Sequence, residues 1–244
     1  MDMTKITNLA LAALLVLAVA CSKDAATGDT GTGGSMARFT IKDNYLYTVD
    51  HESLLTFSIA NPSNLLNLSH QYLGFGIETI FPTEEHLFIG ARNGMHIYGL
   101  SDPAKPNKLS FTPHFVSYDP VVVQGNYAYV TLRSAENMTG GRNELLIFDI
   151  SNPKAPILAA EYNMVWPRGL GIDGDKLFIC DDRLKVFILE TPTQIRLLES
   201  FDIRAIDVIP SGGHLFVVAE DGLYQYSYDF NGISLISKLT LPKS

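Results

Sequence analysis

The chain has 244 residues, of which 46% are hydrophobic and 18% are charged, and its formal net charge at pH 7 is -8. This acidic balance argues against nucleic acid as a partner and against electrostatic attachment to anionic lipid, because both of these partners are negatively charged.

Residues 1–20 have the pattern of a signal peptide. Lys5 supplies a short positively charged start, and the apolar run from Leu9 to Ala20 is 12 residues long. A helix of about 20 residues is needed to span a bilayer, so this run is too short for a membrane anchor. It suits the apolar centre of a secretion signal, and we expect it to be removed on export.

The run ends in Ala18-Val19-Ala20-Cys21-Ser22, which resembles a bacterial lipobox. The resemblance implies that Cys21 is lipidated and becomes the new N-terminus, so that the lipid alone joins the protein to the membrane. An ordinary cleaved signal with a chance cysteine is the alternative. Lipidation would leave Cys180 as the one remaining cysteine, without a disulfide partner, and we expect an inert thiol in the core. The predicted location is the cell envelope, as an outer-membrane lipoprotein facing the periplasm or the cell surface.

Residues 21–35 are predicted to be a flexible tether. The stretch KDAATGDTGTGGS, which ends at Ser35, has no apolar period and is rich in Gly, Thr and Ala. Its glycines do not form a phosphate-binding loop, because no Lys-Ser or Lys-Thr pair follows them.

Residues 36–244 contain a pair of apolar segments that recurs five times. The first segment of each pair reads YLYTV, HLFIG, YAYVT, KLFIC and HLFVV. The aligned second residues of these segments, which are 41, 41, 49 and 38 residues apart, are Leu46, Leu87, Ala128, Leu177 and Leu215. A period near 40 with paired strand signals is typical of β-propeller blades.

Each repeat predicts four short antiparallel strands, because turn residues separate four apolar segments with a spacing of two. The middle strands are apolar on both faces, as in LLIFDI from Leu145, which fits blades that are stacked face to face. We therefore predict an all-β, five-bladed propeller over residues 36–244. The expected blades are residues 36–75, 76–115, 116–165, 166–202 and 203–244. A two-sheet sandwich is the alternative, but it leaves the five similar periods unexplained.

The phrase IFDISNPKAP, from Ile147 to Pro156, and its echo SDPAKP from Ser101 resemble the LVIVD repeat family. These are bacterial β-propeller proteins that are often lipid-anchored. The resemblance implies a cell-envelope protein and brings no catalytic residues with it.

The closure of the ring is left open by the sequence. The domain begins with the inner-strand segment ARFTIK and ends with the outer-strand segment SLISKLTL. On this reading no strand is exchanged between the ends, and packing of blade 5 on blade 1 closes the ring. Alternatively, the last strand joins the first blade.

A charged residue lies eight or nine positions before the aligned residue of every repeat. The five residues are Arg38, Glu78, Asp119, Arg168 and Asp207. The first strand of a propeller repeat lines the axis, so we expect these side chains to converge at one end of the channel with at least one arginine–carboxylate contact. They form either a salt-bridged structural collar or a binding site for a polar ligand.

Aromatic residues accompany this predicted ring in the loops that lead into the first strands. Tyr118 and Trp166 are the candidate ligand contacts, and Tyr72, Phe75 and Phe115 lie in related loops. The 49-residue interval contains an insertion at residues 133–143, which should emerge at the same end of the channel. Long loops on a rigid scaffold often carry function. The alternative is that these aromatics pack the seams between blades.

Signatures of enzymes and of metal sites are missing from the sequence. It contains no G-x-S-x-G and no H-E-x-x-H, and its six histidines are scattered. Asp173, Asp175, Asp181 and Asp182 do not have the spacing of a calcium loop, and solvated turn carboxylates are expected. We therefore expect no metal and no cofactor. The favoured function is non-catalytic binding of a glycan, peptide or protein on one rim. The alternative is a hydrolase or lyase that uses Glu78, Asp119 or Asp207 as acid or base.

Overall fold

The five-bladed β-propeller is confirmed by the computed structural model, which describes residues 33–114, 120–134, 141–230 and 232–241. Twenty strands form five antiparallel sheets, and each sheet is built from four consecutive strands. No helix occurs in the described residues. Accordingly, none of the described segments is an apolar helix long enough to cross a membrane.

The strands of each blade follow one another from the axis to the outer edge. Blade 1 contains β1 (Phe39–Lys42), β2 (Tyr45–Val49), β3 (Ser53–Ser58) and β4 (Leu66–Tyr72). Blade 2 contains β5 (Ile77–Pro82), β6 (His86–Ala91), β7 (Gly94–Gly99) and β8 (Asn107–Pro113). Blade 3 contains β9 (Val121–Gln124), β10 (Tyr127–Arg133), β11 (Asn143–Asp149) and β12 (Ile157–Asn163). Blade 4 contains β13 (Leu170–Asp173), β14 (Lys176–Cys180), β15 (Leu184–Thr191) and β16 (Gln194–Phe201). Blade 5 contains β17 (Ala205–Ser211), β18 (His214–Ala219), β19 (Gly222–Tyr228) and β20 (Ile233–Thr240).

Two-residue turns join the first and second strands in four of the blades. The first turn residue has a positive φ in each case: 53° at Asp43, 57° at Gly125, 58° at Gly174 and 56° at Gly212. Tight hairpins favour this backbone because its twist matches that of the strands. Glycine therefore occupies three of the four positions.

The proline turns between third and fourth strands tie neighbouring blades together. Tyr47 Oη of blade 1 donates a hydrogen bond of 2.9 Å to the carbonyl of Pro103 in blade 2. Tyr129 Oη of blade 3 donates an equivalent bond of 2.9 Å to the carbonyl of Pro192 in blade 4. These bonds satisfy turn carbonyls that the strand ladders leave without a partner.

The hydrophobic core consists of four separate seams, one between each pair of consecutive blades. The second residue of the aligned segment packs toward the preceding blade, and the third residue packs toward the following one. The third residues Tyr47, Phe88, Tyr129 and Phe178 are at most 1% exposed. We call the side of a blade that faces the preceding blade its front face, and the other side its rear face.

Blade 5 and blade 1 do not share such a seam in the described part of the chain. Phe216, the third residue of its segment, is 44% exposed on the rear face of blade 5. Leu46, on the front face of blade 1, is only half-buried, whereas Leu87, Ala128, Leu177 and Leu215 are fully buried. In the described residues no strand is exchanged between the ends, so the last strand does not join the first blade. The sequence also predicted, for this case, that packing of blade 5 on blade 1 closes the ring. That prediction is wrong, because both faces remain open to solvent.

Candidate functional site

A pocket of about 480 Å³ lies on the propeller axis at the end where the first strands begin. We call this end the upper rim. All five blades or the segments that lead into them contribute side chains to the pocket. Its lining consists of Met36, Arg38, Glu78, Thr79, Pro120, Arg133, Pro167, Arg168 and Ile206.

The structure brings three of the five predicted ring residues together in this pocket. Arg38 precedes β1, Glu78 is the second residue of β5, and Arg168 precedes β13. Asp207 belongs to the same rim, next to the pocket residue Ile206, but its side chain is turned elsewhere. Asp119 and Tyr118 lie outside the described residues.

Arg168 is held in place by both its backbone and its side chain. Its amide donates to the carbonyl of Cys180 at 2.6 Å, and its own carbonyl accepts a 2.6 Å bond from Thr131 Oγ1 of blade 3. Its Nη1 lies 3.1 Å from Glu220 Oε1, so its carboxylate partner is a turn residue outside the predicted ring. Within the described structure, Arg168 Nε is buried and donates a hydrogen bond to no partner. A ligand in the pocket could therefore satisfy it.

Asp207 binds the segment that precedes β1. Its Oδ1 accepts a 2.9 Å hydrogen bond from Ser35 Oγ, and its Oδ2 accepts a 3.3 Å bond from the amide of Met36. Burial raises the pKa of Asp207, and the hydrogen bonds from Ser35, Val208 and Met36 oppose this rise. Ser35, predicted to end the flexible tether, is instead buried against blades 4 and 5.

Trp166 stands beside the pocket through its contact with Arg133. The Cζ atom of Arg133, the last residue of β10, lies 5.3 Å from the centre of the half-buried indole ring. A guanidinium at this distance from an aromatic face is held by a cation–π interaction. The residue after Trp166, Pro167, is itself part of the pocket wall.

Asp181 fixes the position of Trp166. It is 3% exposed, and its carboxylate accepts hydrogen bonds from the amides of Val165 and Trp166. Lys185 Nζ lies 2.6 Å from the same carboxylate and neutralises it. The expectation of a solvated turn carboxylate is therefore wrong for Asp181, because its partners lie in the loop that leads into β13.

The arrangement favours binding of an anion. The described lining carries three guanidinium groups, from Arg38, Arg133 and Arg168, against the single carboxylate of Glu78. Guanidinium groups bind carboxylates and phosphates through charge-assisted hydrogen bonds. Among the residues that the structure describes, no three potential metal ligands lie together.

Six of the nine described lining residues were not identified as site residues from the sequence, among them Arg133 and Met36. Arg133 was assigned to the start of the insertion, although a cation at the upper end of a second strand is a signal that could have revealed it. Met36 was assigned to the edge of the domain, and nothing local in its sequence indicates the axis. Cys180 is fully buried, as an inert core thiol would be, and burial raises its pKa well above the ordinary value.

Comparisons with known proteins agree with this architecture. The family model that describes the LVIVD repeat matches residues 33–73 and 118–164, which contain all four strands of blade 1 and of blade 3. No curated protein matches the chain.

Solved structures resemble the chain over most of its length. A protein from Lactobacillus plantarum has a TM-score of 0.67 at 16% identity, with 82% of this chain and 69% of that chain covered. A functionally unknown protein from Desulfotomaculum acetoxidans has a TM-score of 0.65 at 12% identity, covering 81% of this chain and 66% of its own. The periplasmic gluconolactonase of Pseudomonas aeruginosa has a TM-score of 0.61 at 14% identity, with the same coverages of 81% and 66%.

The chain thus spans about two thirds of the length of these structures. At such low sequence identities the likeness shows the fold alone. Together with the five four-stranded sheets, it identifies the chain as a β-propeller in which residues 33–73 and 118–164 match the LVIVD repeat.

Proposed function

We propose that the protein is a non-catalytic lipoprotein of the cell envelope that binds a carboxylate-bearing sugar in its axial pocket. The observation that carries this proposal is the set of three arginines, Arg38, Arg133 and Arg168, around one pocket of about 480 Å³. Cys21 would carry the lipid, and the location would be the outer membrane.

The pocket walls favour a sugar acid over a small inorganic anion. Met36, Pro120, Pro167 and Ile206 provide apolar surface beside the guanidinium groups. Sugars present flat apolar faces of C–H groups, and pockets for such ligands combine apolar walls with a few placed polar groups. The indole of Trp166 lies next to this wall through its contact with Arg133.

Binding is tested by titration calorimetry of the full chain in non-ionic detergent, with glucuronate as the probe and glucose as the neutral control. We expect heat of binding with glucuronate and none with glucose. Arg196→Ala is the matched control variant, since Arg196 pairs with Glu190 on the outer edge of blade 4, away from the pocket. Equal heats for the two sugars would contradict a carboxylate-directed site.

A hydrolase or lyase is the second candidate, because a periplasmic gluconolactonase shares the fold. Such an enzyme would need a carboxylate acid or base at the axis. In the described part of the pocket Glu78 is the one carboxylate of the lining and would take this role, while the carboxylate of Asp207 accepts hydrogen bonds from Ser35 and Met36. A lactone-hydrolysis assay distinguishes the candidates: we expect no rate above the spontaneous one, and a rate abolished by Glu78→Gln would favour the enzyme.

A further inference from the structure

The rear face of blade 5 carries the same kinds of side chains that are buried in the four existing seams. Phe216 and Val218 of β18 point to this side, and the cross-strand neighbour of Val218 is Leu223 of β19. All three side chains are at least 40% exposed. In blade 4 the residues equivalent to Phe216 and Val218 are Phe178 and Cys180, which are fully buried against blade 5. The face therefore has the composition of a seam without the blade that would cover it.

The front face of blade 1 is the complementary half of such a seam. Phe39 and Ile41 of β1 are 62% and 41% exposed, and Leu46 of β2 lies opposite Ile41 in the same sheet. In blades 2 to 5 the residue equivalent to Leu46 receives the aromatic or apolar third residue of the preceding blade. In the described residues, one rear face and one front face thus remain without a neighbouring blade, and adjoining apolar faces of this kind mark an interaction site.

The lengths of similar propeller chains indicate how many blades would fill the gap between these faces. The five blades superimpose on parts of longer propeller chains rather than on whole ones. For the Lactobacillus plantarum structure, 82% of 244 residues is about 200, and if these are 69% of that chain, about 90 of its residues lie outside the match. With a repeat period near 40 residues, that length corresponds to two blades.

We propose that the gap between blade 5 and blade 1 binds a polypeptide segment of two further four-stranded blades of this same repeat type. The segment would place a front face on Phe216 and Val218, and a rear face on Phe39, Ile41 and Leu46. A second copy of the chain fits less well, because it brings five blades to a space for two. In the completed ring, the apolar residues of both faces would be covered.

The proposal is tested by extending the full chain at its C-terminus with a second copy of its own blades 4 and 5, residues 166–241. We expect the extension to raise the midpoint of thermal unfolding by more than about 5 °C, through three new seams. It should also reduce binding of a dye that fluoresces on exposed apolar surface, because the apolar residues of both faces become buried. Extension by blade 5 alone, residues 203–241, is the control, and it should leave dye binding in place because an open gap remains.

Two matched alanine variants show which faces are covered. In the chain as it stands, Phe178→Ala should lower the unfolding midpoint by about 10 °C, whereas Phe216→Ala should lower it by less than about 2 °C. In the two-blade extension, both variants should lower the midpoint by about 10 °C. If Phe216→Ala already destabilises the unextended chain as much as Phe178→Ala does, the face is covered without added blades and the proposal is wrong. It is equally wrong if the two-blade extension binds as much dye as the unextended chain does.

Discussion

Ser35 Oγ donates a hydrogen bond of 2.9 Å to Oδ1 of Asp207, although the two residues are 172 positions apart in the chain. The same hydroxyl accepts a 2.8 Å bond from the amide of Leu170. One buried side chain before β1 therefore joins the first strands of blades 4 and 5. In the absence of a seam between blades 5 and 1, this contact links the start of the domain to its last blade.

Ser35→Ala should lower the free energy of unfolding by about 1.5–3 kcal/mol at pH 7, because an ionised, buried Asp207 loses a hydrogen-bond donor. The pKa of Asp207 is raised in the folded protein. The folded state then binds more protons than the unfolded state between the ordinary pKa of 3.8 and the raised value, so stability decreases as pH rises through that window. Removing the Ser35 hydroxyl raises the pKa of Asp207 further. The loss of unfolding free energy caused by Ser35→Ala is therefore larger at pH 7 than at pH 4.

Urea unfolding of the parent and of Ser35→Ala at both pH values measures this difference. Ser237→Ala, an exposed serine of β20, is the control and should change stability little. A deficit that is the same at pH 4 and pH 7 would contradict the role given to Asp207.

His96→Leu should make the protein more resistant to acid. Burial, with a smaller contribution from the Lys108 ammonium, lowers the pKa of His96 to about 4. A histidine with a depressed folded pKa stabilises the fold above its unfolded pKa of 6.5, and that stability is lost as pH falls through the folded value. The loss amounts to about 3 kcal/mol between pH 6.5 and pH 4.

Leucine is the natural replacement for His96, because blade 3 carries the buried Leu146 at the equivalent position. The free energy of unfolding of His96→Leu should therefore change less than that of the parent between pH 6.5 and pH 4. If the free energy of unfolding changes equally with pH in the two proteins, His96 does not determine the pH dependence of stability in this range.

Tyr129→Phe should cost about 1–2 kcal/mol of folding free energy, since the carbonyl of Pro192 loses its donor while the ring stays packed. Guanidinium unfolding at pH 7 measures the change. Tyr72→Phe is the control, because this ring is 63% exposed, and its effect should stay within about 0.5 kcal/mol. Equal effects of the two variants would show that the hydrogen bond from Tyr129 to Pro192 does not stabilise the seam.

Cys21→Ser should shift the protein from the detergent phase to the aqueous phase in a phase-separation experiment on cell extracts. The reason is that a lipid chain on Cys21 is the proposed link to the membrane. Cys180→Ser serves as the control, since Cys180 is buried in the seam between blades 4 and 5. Membrane fractionation of Cys21→Ser like that of the parent would refute lipidation.

The blades were predictable because their signal is local. An apolar spacing of two, tight turns and a period near 40 residues recur within each repeat and need no distant partner. The exposure of Phe216 was not predictable, because HLFVV has the same pattern as KLFIC, and burial depends on whether a further blade covers the strand. The contact of Ser35 with Asp207 also escaped prediction. A serine after a glycine-rich stretch resembles a linker until the fold brings blade 5 beside it.

The binding role of the axial pocket is tested most directly by the affinities of two charge-neutralising variants for glucuronate. Arg168→Gln removes a guanidinium whose buried Nε has no partner among the described residues, and it should weaken binding at least about 10-fold, the equivalent of one charge-assisted hydrogen bond. Glu78→Gln removes the negative charge of the same pocket and should leave the affinity unchanged or increase it, because repulsion of the ligand is relieved. Opposite responses of this kind are the predicted result. Parent-like affinity in both variants, or no binding of glucuronate by the parent chain, would contradict the proposed function.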